Sequence, residues 1–275
     1  MALTSPRFYS TKLLVEAEAG AALREGRSGR AVHLVQMALI DLGYAMPGST
    51  KNPNYSPDGI FGSETKQKLI DFQKANKLPQ TGAIDRATIR ALDALFQKPT
   101  HRVRLHFRSL ADTNVPFARH LADAEIVYGQ YGIKIEFASG MSLALTAAQQ
   151  TMFDKIDDSC QWDITGGEYK ELHQLGSPVP ETDIAVYYVR ELAGAGGCGG
   201  HVANRPTCTV ASATTRWATA HEVGHVLLTS KFVPVHSPER RNLMMPDVLY
   251  FTATPVLTDR QVAQIKLSPL CSRIT

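Results

Sequence analysis

Apolar residues recur every three or four positions in the first third of this chain, and then every second position in several stretches beyond it. Val32, Val35, Leu39 and Leu42 share one helical stripe within SGRAVHLVQMALIDLGY, and Gly43 ends it. The next stretch, AMPGSTKNPNYSPDG, is rich in Pro, Gly, Asn and Ser and reads as a loop. A repeat follows. Aligning Gly59 with Gly82 matches Phe61 with Ile84, Thr65 with Thr88, Leu69 with Leu92 and Phe72 with Leu95. Each copy is a glycine turn, a capping residue (Ser63 or Asp85) and an amphipathic helix. The pattern predicts a small all-α bundle of three main helices over residues 28–97, with an extension over residues 1–27 ahead of it.

FQKPT, residues 96–100, reads as a linker, and the period then changes. HRVRLHFRSL alternates Val103, Leu105 and Phe107, a strand with one buried face. A helix over residues 115–131 and a second alternating strand, IKIEFAS, follow. Beyond a long irregular stretch, TDIAVYYVREL reads as a well-buried strand. The Gly-rich GAGGCGGHVANRPTCTVAS reads as a turn leading into a strand at 207–212. Helices are predicted over residues 214–229 and 258–267. A β-α-β start with later strands and a deep helix predicts an α/β (α+β) domain over residues 98–275, so the chain is multidomain.

Composition narrows the classes. Hydrophobic residues at 44% and charged residues at 20% give a soluble globular balance. A net charge of +3 with no basic run predicts no nucleic-acid partner. The apolar runs fall far short of the ~20 residues that span a bilayer. Leu13 to Val15 is too short for the core of a secretory leader, so the chain is expected to be cytosolic, at least before export, to leave by a route without such a signal, or to have lost its leader. Of the four cysteines, Cys198 and Cys208 flank a short Gly-rich stretch and predict a local bridge. That pairing leaves Cys160 to bond Cys271.

The densest chemistry lies in HEVGHVLLTSKFVPVH, residues 221–236. His221 and His225 are one helical turn apart, roughly 6 Å of rise, and face the same way. Two imidazoles so placed can grip one cation. Glu222 sits a step further round. There it can act as general base on a metal-activated water without ligating the metal. Trp217, Ala220, Val223 and Leu227 supply the apolar surface that buries this helix. His33, His101, His106, His120 and His173 carry no spacing signal and are expected at the surface or in hydrogen bonds.

The run from HEVGH through NLMMP resembles the metzincin metallopeptidases, whose extended pattern is H-E-x-x-H-x-x-G-x-x-H followed by a methionine turn. The resemblance implies a catalytic Zn²⁺ with three histidine ligands and hydrolysis of a peptide or protein substrate, with Glu222 as the catalytic residue. Here Leu228 stands at the Gly position and Lys231 at the third His. His236, five residues late, is the expected third ligand, reached by a slightly longer helix and a longer loop. Glu239, Asp247 and His201 are its rivals. Met244 is the expected methionine of the turn. The resemblance also implies an edge strand that pairs with extended substrate, either TDIAVYYV or residues 201–212.

DGIFGSETKQKLIDFQKANKLPQTGAIDRATIRAL, with its D-G-x-F-G-x-x-T and T-G-x-I-D turns, resembles the peptidoglycan-binding domains. That implies peptidoglycan as a partner and a secreted or cell-envelope destination. In some metzincins a domain of this kind is a propeptide whose cysteine caps the zinc. Residues 1–97 contain no cysteine, which favours a targeting module. Three functions follow as expectations: a wall-targeted zinc endopeptidase, a zinc hydrolase of peptidoglycan stem peptides, and a non-catalytic wall-binding protein.

Overall fold

Two buried glutamines organise the repeat of the first hundred residues. In this computed structural model, which describes residues 2–9, 11–51, 57–96, 98–110, 113, 115–246 and 252–274, four helices come first. They are α1 (Lys12–Ala19), α2 (Arg30–Asp41), α3 (Ser63–Ala75) and α4 (Arg86–Ala94). Gln36 on α2 donates to Ile60 O and Thr65 Oγ1 and accepts from Gly59 N. Gln73 on α3 does the same with Ala83 O, Thr88 Oγ1 and Gly82 N. Both glycines are left-handed, φ 69° and 58°, which a side chain would resist. Each amide is fully buried and satisfied, so each turn is locked to the helix before it. The glutamine precedes its glycine by 23 residues in one copy and by 9 in the other, which hides the match from alignment.

Phe8, Leu34, Leu39, Phe61, Leu69, Phe72 and Ile89 fill the core of this bundle. Residues ahead of 28 join it. Leu14 on α1 is fully buried, α1 packs on α4, and the Asp93 carboxylate accepts from the backbone of Thr4 and Ser5. Arg86 donates to the carbonyls of Glu18 and Ala19, and Arg90 pairs with Glu18. By contact density one compact unit is Met1–Thr100 with Glu125–Lys134 and Tyr250–Thr254. The other is His101–Ala124, Ile135–Leu249 and Pro255–Thr275.

The later elements are β1 (His101–Leu110), α5 (Phe117–Gly129), β2 (Ile133–Leu143), α6 (Ala147–Phe153), α7 (Gly167–His173), β3 (Ile184–Val189), β4 (Gly197–Cys198), β5 (Thr207–Ala211), α8 (Ala218–Leu228), α9 (Asp259–Leu267) and β6 (Ser272–Arg273). Among the described residues the strands form one mixed sheet in the order β2-β1-β3-β5-β4, with β6 beside β1. β1, β3 and β5 run parallel, and β4 is antiparallel to β5. Helices and a mixed sheet make the chain α+β. Every residue of β3 is buried, as a strand covered on both faces must be. On one face Ala185, Tyr187 and Val189 pack with Phe153, Ile156, Tyr169 and Leu172. On the other, Tyr188 reaches Thr219 of α8. His106 stitches strands together, with Nδ1 against Ser139 Oγ at 2.8 Å and Nε2 against Asp183 Oδ2 at 2.9 Å.

The expected cysteine pairing is overturned. The disulfide joins Cys160 to Cys198, and Cys208 and Cys271 are buried free thiols. Register explains why Cys198 and Cys208 do not meet. Cys198 lies opposite Thr209, so it shares that residue's face, and Cys208 one step along points through the sheet to the other side. The long irregular stretch also holds α6 and α7. They are only seven residues each, too short to show a helical period, although Thr146 and Gln149 make a complete capping box.

No helix among the described residues is long and apolar enough to cross a membrane. Two buried histidines make the fold acid-sensitive. Burial lowers His120 to about 4 and His173 to about 3; they hydrogen-bond to Thr219 and to Thr207 and Thr209 respectively. Their folded values lie below the ordinary 6.5, so the unfolded chain binds more protons between those limits. Their contribution is whole above pH 6.5 and is lost as pH falls toward 4. At pH 5 the loss is about 2 kcal/mol for each histidine. Urea unfolding from pH 7 to 4.5 checks it: His120→Gln will show a shallower fall in stability than the unsubstituted chain. Equal slopes would refute the assignment.

Candidate metal centre

α8 follows Trp217, which is fully buried, and all its residues except His221 are buried. The helix is apolar nearly all round, so its polar residues stand out as exceptions rather than as a solvent face. It ends at Leu228. The left-handed residue that lets the chain leave the helix is Thr229, φ 61°, one position after the Leu228 that replaces the glycine of the extended pattern. The helix therefore does not run longer; the loop alone covers the extra distance to His236.

That loop brings His236 back to the helix. His225 Nε2 lies 3.0 Å from His221 Nε2 and 3.1 Å from His236 Nε2. The ligand atoms of all three residues lie within 4.8 Å of one another. Nitrogens bound to one tetrahedral zinc at about 2.0–2.1 Å stand about 3.3 Å apart, so the cluster has the right size. His221 Nδ1 donates to the Leu243 carbonyl at 2.7 Å, which fixes its proton there and turns the Nε2 lone pair inward. Burial lowers His221 to about 4 and His225 to about 2, so both rings are neutral at pH 7 and need lose no proton to bind a cation. Burial also lowers His236. The donor set suits zinc.

The turn at residues 242–245 holds two of the three rings. Besides the Leu243 carbonyl on His221, the Met244 carbonyl accepts from Ser237 N, the residue after His236. Met244 is fully buried, and its own N–H donates to Asn242 Oδ1. Asn242 in turn exchanges two hydrogen bonds with Gln261 of α9. The NLMMP run includes Asn242 and Leu243, but nothing in it shows their tasks or pairs it with Gln261; that work is done by backbone groups and a long-range amide pair.

Glu222 is 5% exposed, and burial alone raises it to about 8. It lines a cleft of about 620 Å³ together with the three histidines, the disulfide and Trp162. The glycines of the 194–200 segment form one wall. A Cβ at Gly197 would lie 2.4 Å from Glu222 Oε1, and one at Gly199 would lie 2.2 Å from His225 Cβ. Gly197 and Gly199 lie flat against the HEVGH helix, where a side chain would clash. Both expected substrate strands prove internal: β3 lies between β1 and β5, and β5 between β3 and β4. The short β4 is the edge on this side. Two paired residues within a glycine run leave no alternation to read.

Of the rival ligands, His201 and Glu239 fall outside the nitrogen cluster, and Asp247 lies outside the described residues. His33, His106, His120 and His173 each spend a ring nitrogen on a hydrogen bond elsewhere.

Comparison with known proteins identifies the other part of the chain. Residues 28–92 match the putative peptidoglycan binding domain family. The stretch covers Gln36, Gln73 and both glycine turns of the repeat. A solved peptidoglycan-binding protein from Clostridioides difficile, in complex with glutamine hydroxamate, is 34% identical over 27% of this chain, with a TM-score of 0.23. The chain spans only 41% of that protein. Archaemetzincin from Methanopyrus kandleri is 11% identical over 60% of this chain and 94% of its own, with a TM-score of 0.36. No curated protein matches. The peptidoglycan-binding domain is thus matched by sequence, whereas the candidate metal centre stands on its side chains.

Proposed function

We propose that this chain is a zinc-dependent endopeptidase, resembling the metzincins, which its peptidoglycan-binding domain brings to the cell wall. The observation that supports it is the convergence of three imidazole nitrogens beside a buried carboxylate in an open cleft. His221, His225 and His236 would hold the zinc. When bound, the ion supplies Lewis acidity: it makes a water acidic near pH 7 and polarises a carbonyl.

The chain's own groups do the rest. Glu222, which burial raises to about 8, would ionise more readily with a cation held by the three histidines. The Glu222 carboxylate then takes one proton from the attacking water. The water oxygen bonds to the peptide carbon, the C–N bond breaks, and Glu222 returns the proton to the leaving nitrogen. Leu243 keeps His221 in one tautomer throughout. Met244 takes the place of the buried methionine of the turn, and its backbone anchors the His236 segment.

A second reading shares the same chemistry. A peptidase carried on a peptidoglycan-binding domain meets the stem peptides of the wall before it meets other proteins, which favours these as substrate. Purified protein with measured zinc, incubated with casein and with isolated sacculi, separates the two. Proteolysis of casein supports the first reading, and release of stem-peptide fragments supports the second. Zinc-loaded protein inactive on both would leave a wall-binding protein without catalysis. The cell wall is the proposed destination.

A further inference from the structure

Cys160–Cys198 and Trp162 are features of the cleft that the proposed hydrolysis does not use. The segment they belong to is tied down in three separate ways. The disulfide joins it to β4. His201 N donates to Trp162 O, and Ile164 N donates to His201 O, both at 3.1 Å, an isolated parallel bridge between Asp163 and His201. A Cβ at Gly200 would lie 1.7 Å from Gln161 O, so glycine there lets the two backbones touch. The result of these ties is a placed indole. Trp162 meets the His225 ring edge-on, centroids 5.6 Å apart and planes at 74°. Gly199 closes on the same imidazole from the glycine segment. His225 is thereby braced by two segments that the disulfide joins to each other.

We propose that Trp162 is a positioning residue for His225, and that the Cys160–Cys198 disulfide is the tether that keeps it in place. The inference rests on the zinc reading above. Its physical basis is that a ligand ring fixed before the metal arrives loses no rotational freedom on binding, and neighbours that orient a ligand typically contribute tenfold to a hundredfold in metal affinity. The tether forms when two thiols lose two electrons and two protons to a disulfide-bearing oxidant by thiol–disulfide exchange. A reduced chain holds zinc less tightly than an oxidised one.

Zinc affinity, measured by competition with a chromogenic chelator, tests it without reference to activity. The series is the unsubstituted oxidised chain, Trp162→Phe, Trp162→Ala and Cys160→Ser. Cys160 is exposed, so its serine variant disturbs no core. Trp162→Phe keeps an aromatic edge and will stay within about twofold, whereas Trp162→Ala and Cys160→Ser will each weaken zinc by about tenfold or more. A merely structural role for Trp162 would lower the melting temperature in both tryptophan variants and leave zinc affinity unmoved. Equal zinc affinity for Trp162→Ala and the unsubstituted chain overturns the positioning role. Equal affinity for Cys160→Ser overturns the tether. An unsubstituted chain that takes up no zinc at all defeats the metallopeptidase reading itself, and this inference with it, a result distinct from zinc held equally by every variant.

Discussion

Glu222→Gln will take up zinc as the unsubstituted chain does and lose about 10²–10⁴-fold in peptide hydrolysis, the usual worth of a positioned general base. The amide keeps the volume and the fit against Gly197 but cannot accept a proton. Metal content should hold because Glu222 lies outside the nitrogen cluster. Stability gives a second check. Burial is the cause of the rise of Glu222 to about 8. Removing a buried carboxylate of that kind removes a desolvation cost, so the metal-free variant should melt no lower than the unsubstituted chain. Zinc analysis, kcat/KM on a quenched peptide and a melting curve read all three. Activity retained within tenfold would show that another group moves the proton.

His236→Ala is expected to cut zinc affinity at least a hundredfold, about 2.7 kcal/mol, as befits the loss of one ligand of three. The same change at His201, or Glu239→Gln, should leave the affinity within about twofold, since neither reaches the cluster. The comparison matters because His236 is the proposed ligand that departs from the expected spacing. The loop that carries it is held at both ends: Arg260 of α9 donates to Val233 O and stacks on Phe232, and Ser237 N donates to Met244 O. Unchanged zinc in the His236 variant would hand the third position to a different donor.

The parts of this protein with a period of their own were legible in its sequence. The stripe of α2, the alternation of β1 and the apolar run of β3 each declare themselves, because a repeating pattern over ten residues is hard to make by accident. The repeat at Gly59 and Gly82 was visible for the same reason, but not its mechanism. Gln36 and Gln73 precede their turns by different distances, so only three dimensions show that they do the same work. The HEVGH spacing is local and could be read directly. The cysteine pairing could not, because it depends on which face of β5 each residue takes, and a shift of one residue reverses that. Nor could the Leu243 carbonyl or the Gln161–Trp162 wall be found, since one is backbone and the other is brought from far along the chain by a crosslink.

The Asn242–Gln261 amide pair has an implication for biogenesis. His221 and His225 come as a pair from a single helix, but the turn that steadies His221 and delivers His236 is fastened to α9, which follows it in the sequence. A nascent polypeptide lacking that helix would carry two ligands and no means of presenting the third. The proposed metal centre is therefore completed only once α9 has been made, and a truncation that removes α9 would silence it from a distance.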